Sequence, residues 1–147
     1  MVHDISRTVR TTWDAASVFD YLLDFSSAVE WDAGTVSCVR TSGDGVVGTA
    51  YRNVSKFLGR ETLLQYTVES VEPGRRYVIV GRNKTVTSKD TITVGATPGG
   101  AEVHYRAEMT FHGLASLLSP LLAPFLKKLG DDTATKLERT LDGKAGQ

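Results

Sequence analysis

The chain is short of the residues that build covalent or metal-centred chemistry. Its 147 residues include one cysteine, two methionines and three histidines. Cys38 has no partner for an internal disulfide, so nothing points to an oxidising compartment. His3, His104 and His112 stand apart from one another and from Cys38, and no pair has metal-ligand spacing. Net charge is missing too: seventeen Lys and Arg balance seventeen Asp and Glu. A chain of zero formal charge makes no electrostatic case for nucleic acid or an anionic membrane. Long apolar runs are absent. The richest stretch, Leu114 to Leu126, is shorter than the roughly 20 residues a spanning helix needs, and it carries Pro120 and Pro124. Met1 to Arg10 is polar and alternating, without the apolar core of a signal peptide. These absences predict a soluble, cytoplasmic protein with no cofactor, no metal and no membrane span.

Ordinary globular material is present. The chain is 41% hydrophobic and 23% charged, enough to bury one core. Ile5, Arg7 and Val9 alternate with polar residues and predict a first strand over 4–11. Ala15, Val18, Phe19, Leu22 and Phe25 then recur at helical spacing, which predicts a helix over 13–24 capped by Thr11 or Thr12. A short helical turn before Trp31 follows. Strand signals crowd the middle: 35–41, 49–57, 61–72, 76–82, 85–95 and 101–112, separated by glycine, proline and asparagine turns. The short connections predict antiparallel neighbours. Leucine-rich residues 114–141 predict a long final helix, with Ser119 as N-cap and Pro120 as first helical residue. Its start is apolar nearly all round, which suits a helix that lines a cavity.

Order and motifs together carry a resemblance. The early small-residue helix Ala15 to Asp24 precedes Trp31. Gly48-Thr49-Ala50-Tyr51-Arg52 leads a strand, Tyr66 to Glu69 forms a long one, and Glu72-Pro73-Gly74-Arg75 turns. Val103, Tyr105 and Ala107 run into Gly113-Leu114 and Pro120. In this the chain resembles the START-like, pollen-allergen-like SRPBCC superfamily, and within it bacterial proteins of the polyketide cyclase/dehydrase and lipid-transport type. The resemblance implies one ligand-binding domain over 1–147. Its α+β helix-grip fold is a curved seven-stranded antiparallel sheet around a long C-terminal helix, with short helices between the first and second strands. It also implies a central cavity for lipids, sterols, hormones or aromatic polyketides. Only some members catalyse cyclisation or dehydration, and no catalytic signature carries over.

The residues themselves narrow the site. Gly43, Gly45 and Gly48 spell a dinucleotide-like G-x-G-x-x-G, but a strand follows rather than a helix, so turn geometry is the simpler role. Cys38 in a strand reads as a small buried hydrophobe, and Asp131-Asp132 as a solvated helix face. Tyr66, Tyr77 and Tyr105 share the phase of apolar neighbours. If Asn83-Lys84 is a two-residue hairpin loop, Gly81 pairs with Val86, Ile79 with Ser88 and Tyr77 with Asp90. Val86, Ile92 and Val94 then place Ser88 and Asp90 inward, where an aspartate needs a partner. The expected wall is Trp31, Tyr66, Tyr77, Tyr105, Met109, Leu122 and Phe125, with Asp90 orienting a polar group.

Three functions remain open on this reading. The leading one is binding, possibly transport, of a small hydrophobic or aromatic ligand. The second is a cyclase or dehydratase that uses Asp90 and Tyr77 for proton transfer. The third is an interaction module presenting the 114–126 segment, as a monomer or a homodimer.

Overall fold

The computed structural model describes residues 2–147. Strand β1 (Val2–Thr11) leads into helix α1 (Ala15–Leu23), a 3-10 turn (Phe25–Ser27) and the short helix α2 (Ala28–Trp31). Six strands follow: β2 (Thr35–Ser42), β3 (Ala50–Phe57), β4 (Arg60–Glu72), β5 (Arg76–Arg82), β6 (Val86–Thr97) and β7 (Gly100–Phe111). Helix α3 (Ala115–Ala145) closes the chain.

The seven strands form one antiparallel sheet in the order β1-β7-β6-β5-β4-β3-β2. The first and last strands in sequence are therefore partners, and the helical segment after β1 carries the chain from one edge of the sheet to the other. Helix α3 packs against β1, while α1 and α2 fill the remaining span. This is the expected helix-grip architecture.

Local chemistry differs from the sequence expectations at three places. Asp14 caps α1, accepting the Ser17 amide at 3.0 Å, whereas Thr11 accepts the Trp13 amide and donates to Asp142 near the end of α3. Asp14 wins because its carboxylate also suits the positive end of the helix.

Helix α3 starts four residues before Ser119. Both prolines lie inside it. Pro120 has no amide for the Ser116 carbonyl, and the Ser119 hydroxyl supplies the missing donor at 3.1 Å. Ser119 thus serves the helix interior rather than its N-cap.

The β5–β6 turn is longer than two residues. The Asn83 amide donates to the Val86 carbonyl, and its side-chain oxygen accepts the Thr85 and Val86 amides, both at 2.8 Å. Gly81 consequently pairs with Ser88, Ile79 with Asp90 and Tyr77 with Ile92. The slip of two positions preserves every facing, because side chains alternate with period two.

The core lies between the sheet and the helices, around Val18, Phe19, Leu22, Tyr77, Ile79 and Ile92. Gly43, Gly45 and Gly48 have φ between +89° and +102° in the β2–β3 connection, values that L side chains avoid. No helix follows them.

Candidate functional site

The strand register lays the site out in rows on the inner face. Tyr66 of β4 pairs with Gly81, Gly81 with Ser88 and Ser88 with Met109. The next row contains Val68, Ile79, Asp90, Ala107 and Ile5. The Tyr66 ring fills the space over Gly81. A partly open cavity of about 150 Å³ lies beside it, between the sheet and α3, with small Ala107 in its wall. Trp31, Tyr66, Tyr105, Met109, Leu126 and Leu129 supply much of its wall. Gly130 also faces it, and lets α3 approach β1 so closely that a Cβ there would sit 2.7 Å from Ile5 Cγ2.

Two carboxyl groups face this space. Asp90 is 3% exposed. Its Oδ1 accepts the Ser88 hydroxyl at 2.8 Å, an i, i+2 neighbour on the same strand face. Its Oδ2 accepts the Tyr105 hydroxyl at 3.4 Å. Burial pushes its pKa up to about 7, and the nearby Asp32 charge adds to that, while the two hydroxyl donors pull it back only in part. Near neutral pH the group is poised between donor and acceptor.

Asp32, immediately after α2, is the second. Its Oδ2 accepts Thr35 at 2.6 Å and its Oδ1 accepts Thr133 of α3 at 3.1 Å. Thr133 in turn accepts the Ala33 amide, and Thr35 accepts the Asn53 side-chain amide. Burial raises this carboxyl as well, against the hydroxyl donors and the Lys136 charge. Sequence reasoning missed Asp32. The signal was Thr133, a polar residue in the otherwise apolar stripe of Leu126, Leu137 and Leu141, which a buried position obliges to find a partner.

The aromatic residues of the wall, Phe25 among them, brace one another. The Trp31 indole donates to Ser27 Oγ at 3.0 Å, and its ring meets Tyr105 edge-on at 5.8 Å. Phe25 contacts Tyr66 with ring centres 4.8 Å apart.

Of the residues expected in the site, Trp31, Tyr66, Asp90, Tyr105 and Met109 line the cavity. Tyr77 does not. It lies in the packed core beside Phe19, and its hydroxyl donates to the Leu22 carbonyl at 2.5 Å, which removes it as a partner of Asp90. Leu122 is half-buried and also outside the lining, and Phe125 is 47% exposed. The phase of α3 turns Leu126, Leu129 and Thr133 inward in their place.

The other singled-out residues take structural roles. Cys38 is buried, and burial pushes its thiol up to about 11, away from thiolate chemistry. His104 pairs with Thr8 and His112 with Thr87, while His3 packs edge-on against Phe111. Asp131 and Asp132 bond Arg7 and Lys128 at the surface. Among the described residues no group of three or more His, Cys, Asp and Glu could hold a metal ion, and no helix is long and apolar enough to cross a membrane.

A curved antiparallel sheet gripping a long C-terminal helix over an inward-facing hollow defines a START-like, SRPBCC protein. Solved structures share this fold across the whole chain. Zhui aromatase/cyclase from Streptomyces sp. R1128 superposes with a TM-score of 0.79 at 9% identity, over 99% of this chain and 94% of that one. A protein of Thermus thermophilus gives 0.79 at 13% identity, over 99% of both chains. A START superfamily protein from Mycobacterium smegmatis gives 0.73 at 15%, over 99% and 98%. At such identities the likeness is one of fold. No curated protein matches the chain. Residues 2–142 match the model of the polyketide cyclase/dehydrase and lipid transport family, and the chain belongs to that family.

Proposed function

We propose that the chain binds a small hydrophobic or aromatic molecule, lipid- or polyketide-like, in the hollow between the sheet and α3. The observation that carries this reading is an apolar cavity with two hydroxyl-braced carboxyls, Asp90 and Asp32, at its wall, of which Asp90 is the more deeply buried. Apolar surface leaving water contributes roughly 25 cal/mol per Å². A ring of aromatic side-chain size, about 150–250 Å², gains about 4–6 kcal/mol in gross terms before ordering costs. The free volume of about 150 Å³ sets the scale. A dry cavity of about that size takes benzene, so a single ring enters as the chain stands. A larger polyketide requires Leu126 and Leu129 to move. A carbonyl on the guest accepts from protonated Asp90, and a phenol donates to the ionised form.

The test is native mass spectrometry of the protein purified from its own host. A co-purified molecule that adds a discrete mass and is lost on unfolding supports the reading. Protein that stays at its sequence mass and takes up no ring compound on titration opposes it.

A second reading rests on the same carboxyl. Held half-protonated near neutral pH, Asp90 matches the general acid and base that a cyclase or dehydratase requires, with Tyr105 rather than Tyr77 as the adjacent hydroxyl. The variant Asp90→Asn separates the two. A binder keeps most of its affinity, whereas turnover by an enzyme collapses.

A further inference from the structure

The balanced net charge conceals an uneven surface. No acidic residue occurs from Met109 to Gly130. Within that span Leu114, Leu117, Leu118, Leu121 and Phe125 are 84%, 75%, 61%, 69% and 47% exposed. At 3.6 residues per turn they fall within about 100° of one another around the helix axis. The buried face of α3, with Ser119, Leu126, Gly130 and Thr133, points elsewhere. Scattered exposed leucines are ordinary, but a continuous row of large apolar side chains marks a binding surface.

The surroundings of the row indicate what it meets. The register places the β3–β4 and β5–β6 turns at the end of the sheet where β7 hands over to α3: Phe57 pairs with Arg60, Val86 with Phe111, and the His112 amide donates to the Thr85 carbonyl. The Asn83 side chain ties the β5–β6 turn to Leu63 of β4. These tips carry exposed Leu58 and Leu63, and also Lys56, Arg60 and Lys84. Glu61 is the acidic residue within the β3–β4 tip, and on α3 the apolar row ends before Lys128, which is bonded to Asp132 at 2.7 Å, so among the described residues the free cations at this end are those of the tips. Apolar side chains bordered by cations match an anionic bilayer surface, where leucines enter the headgroup boundary and lysines meet lipid phosphates. A second copy fits less well, because a twofold contact brings the same cations towards each other. The cavity lies at this end too, lined there by Phe57, Thr62, Val86 and Phe111.

We propose that this end of the molecule docks on an anionic lipid surface, with the Leu114–Phe125 row inserted and Lys56, Arg60 and Lys84 of the strand tips against the headgroups. The cavity then faces the bilayer from which a lipophilic guest would be drawn or to which it would be delivered.

The experiment is co-sedimentation of the full chain with phosphatidylcholine vesicles, with and without phosphatidylglycerol. The vesicles carry no added cavity ligand, so the outcome is independent of whether the hollow holds a guest. The wild type is expected to sediment with the anionic vesicles. Leu117→Glu/Leu121→Glu and, separately, Arg60→Glu/Lys84→Glu should each lower that affinity roughly tenfold or more, and raised salt should weaken it. All four positions are exposed, and circular dichroism checks that the variants stay folded. Failure to sediment, equal binding to both vesicle types, or binding indifferent to the leucine change overturns the proposal. So does a dimer that the leucine change dissolves in a protein that ignores vesicles, which would make a second copy the occupant.

Discussion

The ring of Tyr66 lies directly over the backbone of Gly81. A Cβ added at Gly81 would come within 2.5 Å of Tyr66 Cζ and 2.6 Å of both Cε atoms. The two residues are register partners on β4 and β5, so neither can slide away without breaking the ladder. Gly81→Ala must therefore drive the phenol towards the cavity. Overpacking of this kind costs about 1–3 kcal/mol, read as a lower urea midpoint at constant slope. Affinity for a ring compound should fall with it. Unchanged stability and binding would mean the Tyr66 ring is not seated as described.

Asp90 makes stability depend on pH with a definite sign. Its pKa is raised from 3.8 to about 7 in the folded chain. Between those values the folded state keeps a proton that the unfolded state has released. The contribution of Asp90 is thus fully present below about pH 4, is lost as pH rises through 7, and stays absent above it, a change of at most about 4 kcal/mol. Asp90→Asn should flatten this slope and be more stable than the parent at alkaline pH. Chemical denaturation across that range checks it, and a parallel slope in the variant would assign the effect to Asp32 or another group.

Tyr105 and Tyr77 should separate cleanly. Tyr105→Phe removes a long hydrogen bond to Asp90, so stability should change by only about 0.5–1.5 kcal/mol. Preference for hydroxyl- or carbonyl-bearing guests over plain hydrocarbons should weaken several-fold. Tyr77→Phe strips the Leu22 carbonyl of a buried donor and should cost about 1–3 kcal/mol without altering that preference. Calorimetric titration with a phenol and its deoxy analogue reads both effects.

Trp31 provides an optical report. It is 1% exposed and borders the cavity, whereas the second tryptophan, Trp13, packs beside Tyr21 away from the lining. In a Trp13→Phe background, entry of a ring compound should shift or quench the remaining emission in step with occupancy. Emission that ignores a guest bound by other measures would place that guest elsewhere.

Much of this was legible in the sequence, and the exceptions share a cause. Period-two and period-3.6 patterns identified all seven strands and the principal helices, because burial of one face imposes them locally. Facing survived even where pairing was misjudged: Asn83 closes a longer turn with its side chain, the register moved by two, and Ser88 and Asp90 stayed inward. Alternation cannot say whether an inward tyrosine meets a hollow or a packed core. That depends on where α1 lies, and α1 takes the hydroxyl of Tyr77 through Leu22. The wall residues of α3 were misassigned for a similar reason. An apolar run without polar breaks has no readable phase, so Leu122 and Phe125 stood in for Leu126 and Leu129. Asp32 escaped notice because its partner, Thr133, lies far along the chain on another helix.

The most direct test is a crystal structure after soaking with a small phenol. The account predicts ring density between Tyr66 and Leu126, with the hydroxyl within hydrogen-bond reach of Asp90. A soaked crystal in which ordered water fills that space and bridges Ser88, Asp90 and Asp32, with no displacement at saturating phenol, would contradict it.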